Sequence, residues 1–342
     1  MRVDIDKRIE EKFNNKLVNT FPSKNLLIEV TNICNNKCIF CANRRMTRSK
    51  GQIDYALAVR VLKECYDLGS REVGFYATGE PLLYDRLSDL IVEAKKIGYE
   101  YIYITTNGLL ATKERIKALL DVGLQSIKFS INAINREDYI FVHGVDAFDI
   151  VMRNLKDCRD LQKKYKNKLF VSTILTKYTD YDRTDIEKCF EGLCDRVVVQ
   201  NAKNQGGLLP TLNDSLLITK SDGEVEHFNI PCSYVFNSVT VTYEGYLTGC
   251  CMDFQNYLAY ADLNKVSVSE GWNNSVITNM RNLQSSGEVG NTLCKSCVYG
   301  KCDKIEPLCE DFATRVEDNF FIEDIDMNER IKSKIENKIK GE

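Results

Sequence analysis

The sequence predicts an α/β protein: a parallel sheet of six β/α units rolled into a partial barrel, followed by a small C-terminal domain. Three observations predict it. Between residues 26 and 200 short β-rich runs alternate with amphipathic helical runs. The alternation stops in a stretch rich in Gly, Pro and Asn, and the cysteines that carry ligand spacing fall into two groups on either side of it.

Residues 1–25 form an N-terminal extension, where Val3, Ile5, Ile9, Phe13 and Leu17 stand among charges as on a short amphipathic helix. The predicted strands are Leu26–Val30, Glu72–Tyr76, Tyr101–Thr105, Ser126–Ile131, Leu169–Leu175 and Arg196–Gln200. Helices at Ala56–Leu68, Leu83–Ile97, Thr112–Val122 and Phe148–Tyr165 supply crossovers, and right-handed crossovers curl the sheet. The barrel is assigned to residues 26–215. Beyond Gln200, Gly206, Gly207 and Pro210 mark a linker with one weak strand at Leu216–Thr219, so a boundary falls near 205–225. In the second domain, 225–312, Ser238–Thr242 and Tyr246–Thr248 flank Glu244-Gly245 as a hairpin, and Ser275–Leu283 reads as a helix. In the tail, 313–342, Ile331, Ile335 and Ile339 recur every four residues among alternating charges from Asn328 onward, the pattern of a solvated helix.

Lys+Arg 46 against Asp+Glu 49 leaves a net charge of −3, too balanced for a surface that tracks phosphates, so nucleic acid is not an expected partner. No run approaches the ~20 apolar residues that span a bilayer, and residues 1–17 carry charges throughout, so the expectation is a cytoplasmic protein without membrane association. In a reducing compartment 14 cysteines point to metal ligation rather than a disulfide framework.

Directly after the first strand, Thr31-Asn32-Ile33-Cys34-Asn35-Asn36-Lys37-Cys38-Ile39-Phe40-Cys41 sets three thiols in one loop, spaced by three and two residues. Thiolates suit soft iron–sulfur centres, and three local cysteines leave the fourth iron of a [4Fe–4S] cube without a protein ligand. A zinc site completed by a distant residue, or unrelated buried thiols, are the alternatives.

This loop resembles that of the radical S-adenosylmethionine (SAM) superfamily, CxxxCxΦC after the first barrel strand, with Phe40 as the aromatic residue. The resemblance implies a SAM-binding [4Fe–4S] cluster on Cys34, Cys38 and Cys41, SAM as cosubstrate, a 5′-deoxyadenosyl radical that abstracts a substrate hydrogen, and a reducing partner such as flavodoxin or ferredoxin. Thr78-Gly79-Glu80-Pro81, at the end of the second strand, resembles the family's GGEP motif, with Thr78 in place of the first glycine. Asn107 after the third strand, and Ser130 and Asn132 at the fourth, stand where family members hold SAM. Each also suits an ordinary strand end or turn.

Cys232, Cys250, Cys294 and Cys297 are separated by 17, 43 and 2 residues. Residues 231–299 resemble the SPASM/twitch extension of the same superfamily, which implies one auxiliary [4Fe–4S] cluster on these four cysteines. Cys302 and Cys309 are kept as ligands of a second. A tetrahedral zinc–thiolate centre is the alternative. Cys65, Cys158, Cys189 and Cys194 read as buried thiols, and His143 and His227 as structural or solvent-facing.

The expected activity is oxidation or epimerisation of a small molecule such as a sugar or aminocyclitol, with Asp253 as the base of an oxidation or Cys251 as the hydrogen donor of an epimerisation. Many SPASM enzymes that modify ribosomal peptides carry a separate N-terminal peptide-recognition domain, and with only residues 1–25 before the first strand the expectation tilts toward a small molecule. Maturation of a ribosomally made peptide is the runner-up, and a non-catalytic metal-binding or electron-carrier protein the rival from another class.

Overall fold

The structure is a computed structural model that describes residues 21–22, 24–176, 179–202, 205, 230–299, 305–314 and 325–340. The expected N-terminal helix, the weak strand at 216–219, His227 and Cys302 lie outside the described residues.

Strands β1 (Leu26–Ile28), β2 (Glu72–Phe75), β3 (Tyr101–Thr106), β4 (Ser126–Ser130), β5 (Lys168–Leu175) and β6 (Arg196–Asn201) all pair in parallel. Helices α1 (Tyr55–Asp67), α2 (Leu87–Ile97), α3 (Lys113–Asp121), α4 (Arg136–His143), α5 (Phe148–Tyr165) and α6 (Arg183–Cys189) lie between them. Local chemistry sets the helix starts: Asp54 caps α1 through the Leu57 N–H, Asn135 caps α4 through the Asp138 N–H, and Asp182 with Asp185 forms a capping box on α6. The sequence reading begins the second helix at Leu83. Instead Pro81–Leu83 form one 3₁₀ turn, and α2 starts at Leu87.

Hydrophobic alternation fixes which face of the sheet meets the helices. Leu26, Ile28, Val73, Phe75, Ile102, Ile104, Ile127, Phe129, Leu169 and Val171 enter one core with the helices. Their alternates line the other, concave face, where Tyr76, Tyr103, Lys128 and Ser130 are only half-buried. Gly74 is needed there because a Cβ would stand 2.7 Å from the ring of Tyr103, which lies across the strand.

The strand order β6-β5-β4-β3-β2-β1-β7-β8-β9 continues past β1 into the C-terminal segment. Strand β7 (Val239–Val241) pairs in parallel with β1, while β8 (Tyr246–Thr248) and β9 (Ala259–Asp262) follow antiparallel. The expected hairpin is therefore an extension of the barrel sheet, and the barrel is partial and open at β6. Helices α7 (Ser233–Asn237), α8 (Val268–Trp272), α9 (Ser275–Ser285) and α10 (Leu293–Tyr299) complete this lobe.

The last helix, α11 (Ile325–Lys340), corrects the expectation of a solvated tail. Met327 and Ile331 are buried in a second apolar cluster with Ile39, Phe40, Met46, Phe141, Val142 and Phe254, and Ile335 packs against it. Alternating charges mark its outer face, but the isoleucine stripe has a partner.

Candidate metal centres

The loop after β1 is held from several sides. Ile39 N–H donates to the Val142 carbonyl at 2.9 Å and Lys37 N–H to that of His143 at 2.8 Å, so the loop lies along the end of α4. From α11, Arg330 donates to the carbonyls of Lys37 (2.6 Å) and Phe141 (2.7 Å). Gln205 accepts from Ala42 N–H at 2.8 Å and donates to the Phe40 carbonyl at 2.9 Å. Phe40 is buried in the apolar cluster under α11.

Within this frame the three thiols lie near enough for their charges to act on one another. Burial pushes the pKa of Cys38 up, and the neighbouring charges of Cys41 and Cys34 push it further. Burial likewise raises Cys34, and takes Cys41 to about 12. Three half-buried thiols whose charges oppose one another's ionisation fit an iron–sulfur cluster, whose irons hold such thiols as thiolates.

The Thr78–Pro81 turn is built onto the same loop. Glu80 N–H donates to the Ile33 carbonyl at 2.8 Å. A Cβ on Gly79 would run into the backbone carbonyls of Thr31 and Ile33, so only glycine admits this approach. The buried Glu80 carboxylate accepts from Thr106 Oγ1 (2.7 Å), Leu82 N–H (3.0 Å) and Asn107 N–H (2.7 Å). Burial still raises its pKa. Asn107 Nδ2 donates to Asn35 Oδ1 at 2.6 Å, beside Cys34. Asn132 is buried and joins two strand ends, its Oδ1 accepting from Ile174 N–H at 2.7 Å. Ser130 is half-buried at the concave end of β4. The structure thus places Gly79, Glu80 and Asn107 against the thiol loop, with Ser130 and Asn132 at the neighbouring strand end.

Thr78 carries the departure from the motif. Its hydroxyl donates to Glu29, and its carbonyl accepts from Asn43 Nδ2 at 2.7 Å. Glu29 also accepts from Arg48 (2.6 Å) and Tyr243 N–H (3.0 Å), and Arg48 grips Glu244 of the hairpin at 2.9 and 2.5 Å. Burial would raise the Glu29 pKa, but Arg48 and these donors hold it below the ordinary carboxylate value. This buried network joins the cluster loop, the Thr78 turn and the C-terminal lobe. Sequence reading missed it because its members lie far apart along the chain.

The second group of cysteines surrounds a small cavity lined by Cys232, Cys250, Cys294 and Cys297 with Tyr234, Met252 and Leu258 among its apolar walls. Burial raises Cys232 and takes Cys294 to about 12. A hydrogen bond with Cys251 raises Cys250, burial adding to it. Among the described residues no three Cys, His, Asp or Glu side chains close around one point as ligands of a single ion would. Four thiols set around an apolar cavity are a donor set that suits an iron–sulfur centre. Cys309 is not part of that lining.

Cys251 neighbours Cys250, Cys232 and Tyr234. Asp253 is buried, its oxygens accepting from Leu258 N–H (2.7 Å), Tyr257 N–H (3.0 Å), Thr248 Oγ1 (3.0 Å) and Gln255 N–H (3.3 Å). Both oxygens brace the loop after Cys250, which is an architectural task.

The sequence model of the Radical SAM superfamily matches residues 28–190, and that of the SPASM iron–sulfur cluster-binding domain matches residues 232–298. The chain belongs to the radical SAM superfamily. As a member it uses SAM with a [4Fe–4S] cluster, and its SPASM domain carries auxiliary iron–sulfur chemistry. A probable GTP 3′,8-cyclase of Saccharolobus islandicus is 34% identical over 146 residues, 41% of this chain and 45% of that protein. A cofactor-modifying protein for tungsten-containing aldehyde ferredoxin oxidoreductase, from Pyrococcus furiosus, is 24% identical over 208 residues, 59% of this chain and 56% of that one. The chain thus spans about half the length of these curated relatives. Among solved structures, SuiB of Streptococcus suis bound to precursor peptide SuiA has a TM-score of 0.61 at 16% identity, covering 80% of this chain and 69% of that one. BtrN in complex with AdoMet and 2-DOIA has a TM-score of 0.53 at 20% identity, covering 86% and 98%. Both share the fold of this radical SAM chain. No helix among the described residues is long and apolar enough to cross a membrane.

Proposed function

We propose that Cys34, Cys38 and Cys41 hold the SAM-binding cluster, that Cys232, Cys250, Cys294 and Cys297 hold one auxiliary cluster, and that the enzyme oxidises or epimerises a small hydroxylated molecule such as a sugar or aminocyclitol. When bound, the cluster and SAM supply a 5′-deoxyadenosyl radical that takes a hydrogen atom from substrate. The chain's own residues do the rest. Gly79 and Glu80 bring the second strand end against the thiol loop, Asn107 stands beside Cys34, and Ser130 marks the neighbouring end of the concave wall.

The observation that carries this reading is the convergence of three thiols with those strand ends at one edge of a parallel sheet, where functional loops gather in barrels. The concave wall beside it supports the small-molecule part: Tyr76, Tyr103, Lys128 and Ser130 offer phenols, a hydroxyl and an ammonium suited to hydroxyl-rich ligands. Tyr234 lies close to Cys250, Cys251 and Tyr76, between the auxiliary cavity and that wall. Asp253, whose carboxyl burial pushes above the ordinary carboxylate value, is the candidate base of an oxidation. Cys251 remains the candidate hydrogen donor of an epimerisation.

Peptide maturation is the second reading, favoured by the fold shared with SuiB, whose structure holds a precursor peptide. The test is anaerobic turnover with dithionite, SAM and carbon-deuterated sugars and aminocyclitols. Deuterium in the 5′-deoxyadenosine supports the small-molecule reading. Transfer from deuterated peptides alone overturns it, and no SAM cleavage at all overturns the cluster assignment.

A further inference from the structure

His143 ends α4 with its ring fully buried and stacked on Tyr139, ring centres 4.2 Å apart and planes 22° from parallel. Its two nitrogens face different parts of the site. Nε2 lies 3.1 Å from the backbone nitrogen of Asn132, just past β4. Nδ1 lies 3.3 Å from Cys38 Sγ and 3.2 Å from the Asn36 side-chain amide.

A backbone N–H can only donate, so Nε2 must present its lone pair to Asn132. A histidine whose Nε2 accepts carries its ring proton on Nδ1. That proton then points at Cys38 Sγ. The Asn36 amide agrees once it is turned over: as placed, its Nδ2 faces Nδ1 while its Oδ1 has no partner among the described residues. The oxygen and nitrogen of an amide are assigned from hydrogen bonding, and exchanging them gives Nδ1–H a second acceptor.

We infer that His143 is a positioning residue of the SAM-binding cluster, donating its Nδ1–H to the sulfur of Cys38 while Asn132 at the end of β4 fixes its tautomer. Such a hydrogen bond withdraws charge from a ligating thiolate and favours the reduced, more negative cluster. The cluster's readiness to accept the electron that cleaves SAM is then tied to the strand end where Ser130 and Asn132 stand. The inference needs the cysteine assignment but not the substrate reading, and none of its readouts is turnover.

Two measurements test it on the full-length chain. First, ¹⁵N NMR of ring-labelled histidine in the metal-free protein should show a neutral His143 ring protonated at Nδ1, assigned by its loss in His143→Phe. Protonation at Nε2 overturns the inference. Second, the anaerobically reconstituted protein is titrated potentiometrically with EPR detection, the SAM-binding cluster being identified by the change SAM makes to its signal. His143→Phe keeps the ring's shape but no donor, and should move that cluster's midpoint to more negative potential with the auxiliary midpoint unchanged. His143→Asn, whose amide nitrogen reaches the Nδ1 position, should restore much of the shift. His143→Gln, whose amide reaches the Nε2 position instead, should not. An unchanged midpoint in His143→Phe, or equal shifts of both clusters, overturns the inference. If His143→Phe fails to take up iron, the Asn–Gln contrast decides: equal midpoints in that pair count against it.

Discussion

At the scale of single residues, Arg48 is the position most exposed to test. It sits buried between Glu29 and Glu244, and Thr78 adds a hydrogen bond to Glu29. Arg48→Met leaves a buried carboxylate uncompensated and should lower stability by about 3–5 kcal/mol in chemical denaturation at neutral pH. The pH dependence has a definite sign. Glu29 is depressed in the folded protein, so its contribution is present above the ordinary value of 4.5 and is lost as the pH falls through its lower folded value. In Arg48→Met the opposing charge is gone while Thr78 and Tyr243 still donate, so Glu29 rises from its depressed value and acidification should narrow the gap between variant and parent. A gap that stays constant with pH would exclude Glu29 as the group responsible. The thiols of the first loop were legible in the sequence because all three stand in one short loop, spaced by three and two residues. Arg48, Glu244 and His143 were not, because nothing local marks a partner reached across more than a hundred residues.

At the scale of elements, the Thr78–Pro81 turn and α11 both shape the cluster loop. Gly79→Ala places a methyl group against the Thr31 and Ile33 carbonyls, and backbone cannot swing aside as a side chain does. That variant should fold yet reconstitute the first cluster poorly, seen as loss of the SAM-responsive EPR signal with the auxiliary signal retained. From α11, Arg330→Ala removes the donors to Lys37 and Phe141 and should destabilise by about 1–3 kcal/mol, with faster loss of iron from the first cluster to a chelator. Equal iron loss in parent and variant would show that α11 does not support the loop. The six parallel strands were readable from alternating β-rich and helical runs, and Phe148–Tyr165 matches α5 at both ends. Helices α4 and α6 were missed because each is short and mixed in pattern. The available signals were Asn135 and Asp182 as caps, with Glu137, Asp138 and Gly144 bounding α4. The outward charges of α11 hid its inner face, since a periodic stripe shows that a face exists but not what covers it.

At the scale of the whole molecule, one sheet joins both thiol groups, with β7 paired to β1 in register and the Glu29–Arg48–Glu244 network beside that seam. The composition change near residue 205 shows where the pattern breaks but not that the chain returns to the first strand. Cys294→Ala removes one proposed ligand from a thiol site gathered from three separate segments. It should lower the protease resistance of the C-terminal lobe, as loss of a structural metal does, while dithionite-driven SAM cleavage persists. Loss of SAM cleavage together with the lobe would mean that the two sites fold as one cooperative unit.

The most direct test of two distinct iron–sulfur sites is iron content and SAM cleavage after anaerobic reconstitution, in the parent and in the combined Cys34→Ala, Cys38→Ala, Cys41→Ala variant. Two [4Fe–4S] clusters predict about eight iron atoms per parent chain and about four in the variant, whose 5′-deoxyadenosine production with dithionite should vanish. Retained 5′-deoxyadenosine production in that variant, or unchanged iron content, would contradict the account.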